Sequence, residues 1–362
     1  MSLNFLSQLS WQGQTINSIA ILLLLFASCN REESPFVQYD YQITSRVNLA
    51  YDTIKIDNQS IIIHNPYKKK GVLTLKGAMH IHTNNSIKID GYGSGEPYVV
   101  AKKYRDAGYD FYTFTDHNVI TEDPGIEGIV WMGLSVEDTK KNQHICAYNL
   151  PSNIYVDKGN DLTTLLNYYH SIGAFTSLAH PNWEKTYITN EILNIIDKLD
   201  FVEVINTNDT KGHRCLDFLR TKNIMTFSFG VDDYHCNILR DDPNKYFNKA
   251  WITAFANKKN RQNIWHSLLQ GTFYVSNGPE IDVSFEEGNL IVSSNKKSSI
   301  TYIGCFNNKE KIILKQEIDI NETSCLWHED LIWLRAEVQN EDGIAFTQPI
   351  QLVEKMNNID YD

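Results

Sequence analysis

Between residues 72 and 275, short hydrophobic runs alternate with amphipathic segments that stop at glycine, and this alternation limits the fold more than any other property of the chain. The runs 72–82 (VLTLKGAMHIH), 109–116 (YDFYTFTD), 128–137 (GIVWMGLSVE), 174–180 (AFTSLAH), 200–206 (DFVEVIN) and 224–230 (IMTFSFG) read as strands. The run 144–150 (HICAYNL) fits beside the third of them. Helices are expected from Glu96-Pro97 to Gly108, over 161–172 ended by Gly173, over 191–199, over 214–222, and over 261–270 ended by Gly271. Repeated βα units argue for α/β architecture with a parallel sheet, open or closed into a barrel. From about residue 272 the helices stop. Short strands separated by Asn277-Gly278-Pro279, Glu287-Gly288-Asn289 and Asp342-Gly343 then read as a small antiparallel β-sandwich. The expected organisation is a processing signal over 1–28, a tether and lead-in strands over 29–70, the α/β domain over 71–275 and the sandwich over 276–362.

With 42% hydrophobic and 21% charged residues, the chain has the composition of a folded protein rather than a disordered one. Thirty-three Lys+Arg against 44 Asp+Glu give a formal charge of -11, which argues against general nucleic-acid binding. The run Ile19 to Ser28 is too short to span a bilayer and suits the core of a signal peptide. It ends in Phe26-Ala27-Ser28-Cys29, which resembles a bacterial lipoprotein cleavage box with Cys29 as the lipidated residue. The expectation is an exported bacterial lipoprotein, periplasmic or at the cell surface, held at the membrane by its N-terminal lipid. A cleaved secretory signal with Cys29 incidental, or a buried N-terminal helix, are the alternatives. No CxxC pair is present, so a thiolate zinc site is not indicated. Cys305 and Cys325 fall in the same module and either bridge or stand as separate buried thiols.

The chemistry gathers at strand ends. His80 and His82 close the first strand, and residues i and i+2 of a strand point to one side. His117 follows the strand ending in Asp116, Glu137 ends the third strand, and His180 ends the run 174–180. Asp233 and His235, again two apart, follow Gly230. In βα architectures the C-terminal strand ends converge. With Asp90 and His144, nine candidate ligands result: His80, His82, Asp90, His117, Glu137, His144, His180, Asp233 and His235. Imidazole and carboxylate without thiolate suit divalent Mn, Fe or Zn. One ion needs three or four protein ligands, so nine imply two or three divalent ions. Such a site activates a water and clamps the oxygens of an in-line displacement, most often on a phosphate ester. Asp232 rivals Asp233, but the i, i+2 face with His235 favours Asp233. Asp116 reads as a partner that orients His117 or a neighbouring histidine. Glu203 and Asn206 end their strand towards the same region, either as part of this support or as a hydrogen-bonded pair. Arg214 and Lys211 either touch a substrate phosphate or belong to a solvated helix start.

An HxH pair alone is a weak signal, but five motifs in order, each at a strand end, are a strong one. His80-Ile81-His82-Thr83, Asp90-Gly91, Phe114-Thr115-Asp116-His117-Asn118, Glu137 in GLSVED, His144 in HICAY, Ala179-His180-Pro181 and Gly230-Val231-Asp232-Asp233-Tyr234-His235 together resemble the PHP (polymerase and histidinol phosphatase) family. The resemblance covers about residues 75–275. It implies a distorted seven-stranded (β/α) barrel of PHP type, followed by the sandwich, with a di- or trinuclear metal site. It further implies one metal on His80, His82, Glu137 and Asp233, a second on Glu137, His144 and His180, and a third on Asp90, His117 and His235. Some members carry a third histidine after the opening pair, where this chain offers Asp90.

The first functional reading is a metal-dependent phosphoesterase acting on a small phosphorylated substrate, such as a nucleotide or sugar phosphate. A metal-bound water, held by Glu137, Asp233 and His180, would be the nucleophile, with no protein nucleophile. The alternatives are a surface-anchored binding lipoprotein that keeps the PHP fold as a scaffold, and a metallohydrolase acting on amide or ester bonds.

Overall fold

The computed structural model describes residues 48–56, 59–86, 95–140, 143–152, 154, 156, 161–207, 213–235, 242 and 244–356. The lead-in segment forms a hairpin of β1 (Tyr51–Ile56) and β2 (Gln59–His64). The first expected strand is β3 (Leu73–Ala78), and Pro97 stands at the first turn of α1 (Pro97–Asp106). The aromatic run 109–116 keeps only two residues in β4 (Phe111–Tyr112). The run 128–137 divides into β5 (Val130–Trp131) and β6 (Ser135–Lys140), and β7 (Gln143–Tyr148) pairs antiparallel with β6. Then follow α2 (Leu162–Ser171), β8 (Phe175–Leu178), a short α3 (Asn190–Asn194), β9 (Phe201–Ile205), α4 (His213–Thr221) and β10 (Phe227–Gly230). The apolar run 251–256, not expected as a strand, forms β11 (Trp251–Ala256) ahead of α5 (Arg261–Gln270) and β12 (Phe273–Ser276). The rest is strand: β13 (Ile281–Glu286), β14 (Asn289–Phe306), β15 (Lys311–Leu326), β16 (Leu331–Asn340), β17 (Gly343–Thr347) and β18 (Ile350–Met356).

The helices begin and end for identifiable reasons. Asp161 accepts a hydrogen bond from the Thr164 amide at 3.1 Å and caps α2, whose buried residues Leu162, Leu165, Leu166 and Tyr169 share one face. Asn260 caps α5 through the Asn263 amide at 2.9 Å. Gly271 ends α5 at φ +77°, and a Cβ there would meet the Phe227 ring at 2.3 Å. Both the left-handed conformation and the close ring exclude other side chains.

The strands form a mixed, sheet-rich α/β structure, and a closed seven-stranded (β/α) barrel is not evident among the described residues. A five-stranded sheet has the order β10-β9-β8-β7-β6, parallel over β8–β10 and antiparallel at β6–β7–β8. A 13-stranded sheet runs β1-β2-β18-β16-β17-β12-β11-β3-β4-β5, with β13, β14 and β15 branching from β16 through β14. Closure requires a continuous stagger of strands around the wall. Here β4 and β5 are too short to extend the ladder, and β11 inserts antiparallel beside β3. Two isolated parallel bridges lie at the strand ends, Ile81 with Tyr234 and His117 with Glu137. They join the two sheets where the candidate ligands lie. The expected boundary at residue 276 falls at the end of β12, from which the ladder continues into β17. Cys305 and Cys325 are separate buried thiols and do not pair with each other. The run 19–28 and Cys29 lie outside the described residues.

Three cores hold this arrangement. Leu75, Phe111, Phe175, Phe201, Phe227, Ile252 and Trp265 fill the space between the two sheets. Val136, Ile145, Leu165, Tyr169, Val202 and Leu219 pack the helices on the five-stranded sheet. Ile63, Val283, Val292, Trp327 and Leu334 form a third core among β2 and the C-terminal strands. One buried ion pair links α4 to β16. Arg335 on β16 donates from Nε and Nη2 to both oxygens of Asp217 at 2.9 and 3.0 Å, and from Nη1 to Glu337 at 2.6 Å. Burial opposes the charge on Asp217, but Arg335 and Lys311 hold its carboxyl below the usual range. Removing one partner leaves an uncompensated buried charge. Arg335→Met is therefore expected to cost about 3–5 kcal/mol, and the Arg335→Met, Asp217→Leu double variant less than the sum of the singles, both read by denaturant unfolding.

Candidate metal centre

His80, Ile81 and His82 continue extended beyond the end of β3. The amide of His82 donates to the Tyr234 carbonyl at 3.1 Å, so residues 80–82 and 233–235 run side by side. That pairing brings the two HxH-like segments to one place. It leaves the Nε2 atoms of His80 and His82 3.0 Å apart. Glu137 enters from β6 and His144 from the neighbouring β7. His180 follows β8, and the amide of Ala179 donates to the His144 carbonyl at 3.1 Å. His180 and Asp233 both adopt positive φ, 29° and 49°. Non-glycine residues held there carry strain that the surroundings must impose, as is common at functional sites.

The Glu137 carboxylate is the hub. Its Oε2 lies 3.2 Å from His80 Nε2, 3.2 Å from His82 Nε2 and 2.9 Å from His117 Nδ1. Its Oε1 lies 2.8 Å from His144 Nδ1 and 3.3 Å from His180 Nε2. Asp233 Oδ1 lies 3.2 Å from His80, 3.3 Å from His82 and 3.2 Å from His235. Three overlapping groups follow: His80, His82, Glu137 and Asp233; Glu137, His144 and His180; and His82, His117 and His235. Asp90 lies outside the described residues.

The donor set fits divalent cations. Ligand bonds of about 2.1 Å place neighbouring donor atoms about 3.0 Å apart in an octahedron and about 3.4 Å apart in a tetrahedron. The separations of 3.0–3.3 Å among His80, His82, Glu137 and Asp233 match that range. Three imidazole nitrogens, from His80, His82 and His117, lie within 3.2 Å of Glu137 Oε2. A fourth group, His80 with Cys146 and Glu203, is built differently. There the Cys146 sulfur lies 3.6 Å from the outer nitrogen of His80.

A surrounding layer turns the rings. His80 Nδ1 is 2.7 Å from Glu203 Oε1, and Glu203 Oε2 also accepts from the His180 amide at 2.9 Å and from Asn206 at 2.8 Å. His82 Nδ1 is 3.1 Å from Ser86 Oγ, and His180 Nδ1 is 3.0 Å from Thr186 Oγ1. All three rings thus keep Nε2 for the centre. Asp116 acts one step further out. It accepts from Ser86 Oγ at 2.8 Å and from the Thr83 amide at 2.6 Å, while the His117 amide donates to Ser86 Oγ at 3.0 Å. Ser86 and Thr186 have no strand-end signature and were not among the expected residues. Asp232 turns away to Tyr104 Oη and the Asn248 amide, leaving Asp233 to face the centre. Arg214 is engaged within the protein, donating to Asn182 and Asn190 at 2.8 Å each and to the Ile188 carbonyl. Lys211 is outside the described residues.

Electrostatics sharpen the site. Burial opposes ionisation of Glu137, yet His117, His80 and His144 hold it well below the usual carboxylate range. Burial likewise opposes charge on Asp233, and His80 and His235 outweigh it. Burial disfavours the imidazolium of His80, but Cys146, Asp233, Glu203 and Glu137 raise it well above the ordinary value. The Cys146 thiol is pushed up to about 12, chiefly by burial. The side chains of His117, His144 and His235 are 9%, 17% and 20% exposed, against at most 3% for the other described ligand candidates, so among the described residues the centre is most exposed on their side.

No family model matches the chain, and no curated protein matches it. Among solved structures it is similar to a two-domain protein from Bacteroides vulgatus containing a predicted PHP-like metal-dependent phosphoesterase. The two share 14% identity with a TM-score of 0.46, over 84% of this chain and 99% of that one.

Glu203→Gln keeps the shape of the support behind His80 and removes its charge. It is expected to weaken divalent-ion binding by roughly 10–100-fold, measured by competition with a chromogenic chelator. Unchanged affinity would mean that Glu203 does not tune the centre.

Proposed function

We propose that this chain is a PHP-type metal-dependent phosphoesterase that hydrolyses a small phosphate ester at a di- or trinuclear centre. The observation that carries the reading is the Glu137 carboxylate, whose two oxygens each face a different group of imidazoles. His80, His82, Glu137 and Asp233 would hold one ion, and Glu137, His144 and His180 a second. His117 and His235, with Asp90, would hold a third. Divalent ions bound there supply Lewis acidity towards phosphoryl oxygens and a water acidic enough to attack at neutral pH.

The chain's own residues do the rest. Glu137 and Asp233, kept ionised, fix the negative charge that retains cations in a buried site. Glu203, Ser86 and Thr186 hold the Nδ1 side of three imidazoles and so keep the Nε2 lone pairs directed inward. His117, His144 and His235 border the open side, where a phosphate ester would enter. Cys146 is the thiol beside the centre and stays protonated at neutral pH, so it does not compete with water as the nucleophile. Arg214, with its donors engaged over 182–190, supports the loop that follows His180. The N-terminal run and Cys29 support an exported lipoprotein in the same proposal.

The test uses protein beginning at residue 29, with metal counted by elemental analysis and turnover measured on an aryl phosphomonoester and a phosphodiester. Two or three divalent ions per chain are expected. Glu137→Gln is expected to lower kcat/KM by roughly 1,000-fold or more. Full metal occupancy without turnover of any phosphate ester overturns the phosphoesterase reading and favours amide or carboxyl-ester hydrolysis. A folded protein that binds no divalent ion leaves the scaffold reading.

A further inference from the structure

Arg220 lies on α4 and is fully buried. Its guanidinium carbon stacks 4.9 Å from the Phe227 ring centre, and Nη1 reaches Met225 Sδ, a weak acceptor, at 2.7 Å. Nε and Nη2 have no hydrogen-bond partner. Among the described residues no carboxylate pairs with Arg220, and Asp217 on the same helix is committed to Arg335 and Lys311.

More unanswered polar atoms lie around it. His64 at the end of β2 is fully buried and packs on the same Phe227 ring, with ring centres 5.7 Å apart. The Gln270 carbonyl is a backbone hydrogen-bond partner of its ring. Gln351 on β18 is the cross-strand partner of His64. Its Nε2 reaches the Arg220 carbonyl and Asn223 Oδ1 at 3.4 Å each, and its Oε1 has no donor. Burial, then the Arg220 charge, push His64 down to about 3, so it is neutral at physiological pH. Burial pulls Arg220 down to about 9, which still leaves it charged. The seam therefore carries one buried positive charge with two donor groups unused among the described residues, beside a neutral imidazole. Buried charges in proteins are normally paired, and a water would satisfy donors without neutralising the charge.

We propose that Arg220 binds a small inorganic monoanion of chloride size in the seam between α4 and the β2–β18 ladder. The ion would accept hydrogen bonds from Arg220 Nε and Nη2, and a water beside it would serve Gln351 Oε1. Its role is structural, tying the helix to the sheet edge, and it is separate from the metal centre.

The test measures the melting temperature of the full chain, loaded with divalent metal, in sodium chloride and in sodium gluconate at equal ionic strength. Bromide-soaked crystals of the same protein are examined by anomalous scattering. The wild type is expected to melt roughly 3–6 °C higher in chloride. Arg220→Met should lose that difference, whereas a chloride effect arising at the metal centre would persist in it. A bromide peak within hydrogen-bonding distance of Arg220 Nε or Nη2 is expected. Equal melting in the two salts, or an anomalous map with no bromide at Arg220, overturns the proposal. If Arg220→Met does not fold, the bromide position in the wild type decides.

Discussion

A single buried carboxylate, that of Glu137, has five imidazole nitrogens within 3.3 Å. Such a group is costly in a dry interior unless positive charge surrounds it. It gets that surrounding only because segments from both sheets end at the same place. Glu137 and His144 come from the five-stranded sheet, while His80 and His82 extend from β3 of the larger one. The isolated bridges Ile81–Tyr234 and His117–Glu137 are the backbone counterpart of this convergence. The rest of the α/β part can be seen as the scaffold that holds those ends together.

Holding them has local consequences. His180 and Asp233 sit at positive φ, where a β-carbon is disfavoured. Both are also tied down, His180 by Glu203 and Thr186 and Asp233 by the segment that pairs with residues 80–82. Glu203 supports two ligand candidates at once, the ring of His80 and the backbone of His180. A change at one outer residue would therefore move more than one inner atom.

The strand ends were legible because periodicity and ligand chemistry coincide there. His80 and His82 are two residues apart, and an extended backbone turns such a pair to one side; Asp233 and His235 have the same spacing, but Asp233 reaches the centre from a left-handed backbone at φ 49°. The helix limits were legible through Pro97, Asp161 and Gly271, whose preferences are local. The seven-stranded barrel was not borne out in the described structure, because closure depends on how strands stagger against distant neighbours. β11 escaped notice because a continuous apolar run such as WITAFA has no alternation to mark it as a strand. Ser86 and Thr186 were equally hidden, since a hydroxyl behind an imidazole has no sequence period.

By itself, the sequence determined which chemistry is available: imidazoles and carboxylates at strand ends, no paired thiolates, and local signals that start and stop the helices. Those properties follow from side-chain type and backbone period, which need no knowledge of distant contacts. Tertiary structure alone decided that both oxygens of Glu137 are shared and that Asp232 turns to Tyr104 while Asp233 faces the centre. It also decided that Arg214 supports the loop over 182–190 and that Arg220 is buried with no carboxylate partner among the described residues. Each of those outcomes joins residues far apart in the chain or depends on one residue's exact burial, and only the packing of the two sheets against each other sets such relations.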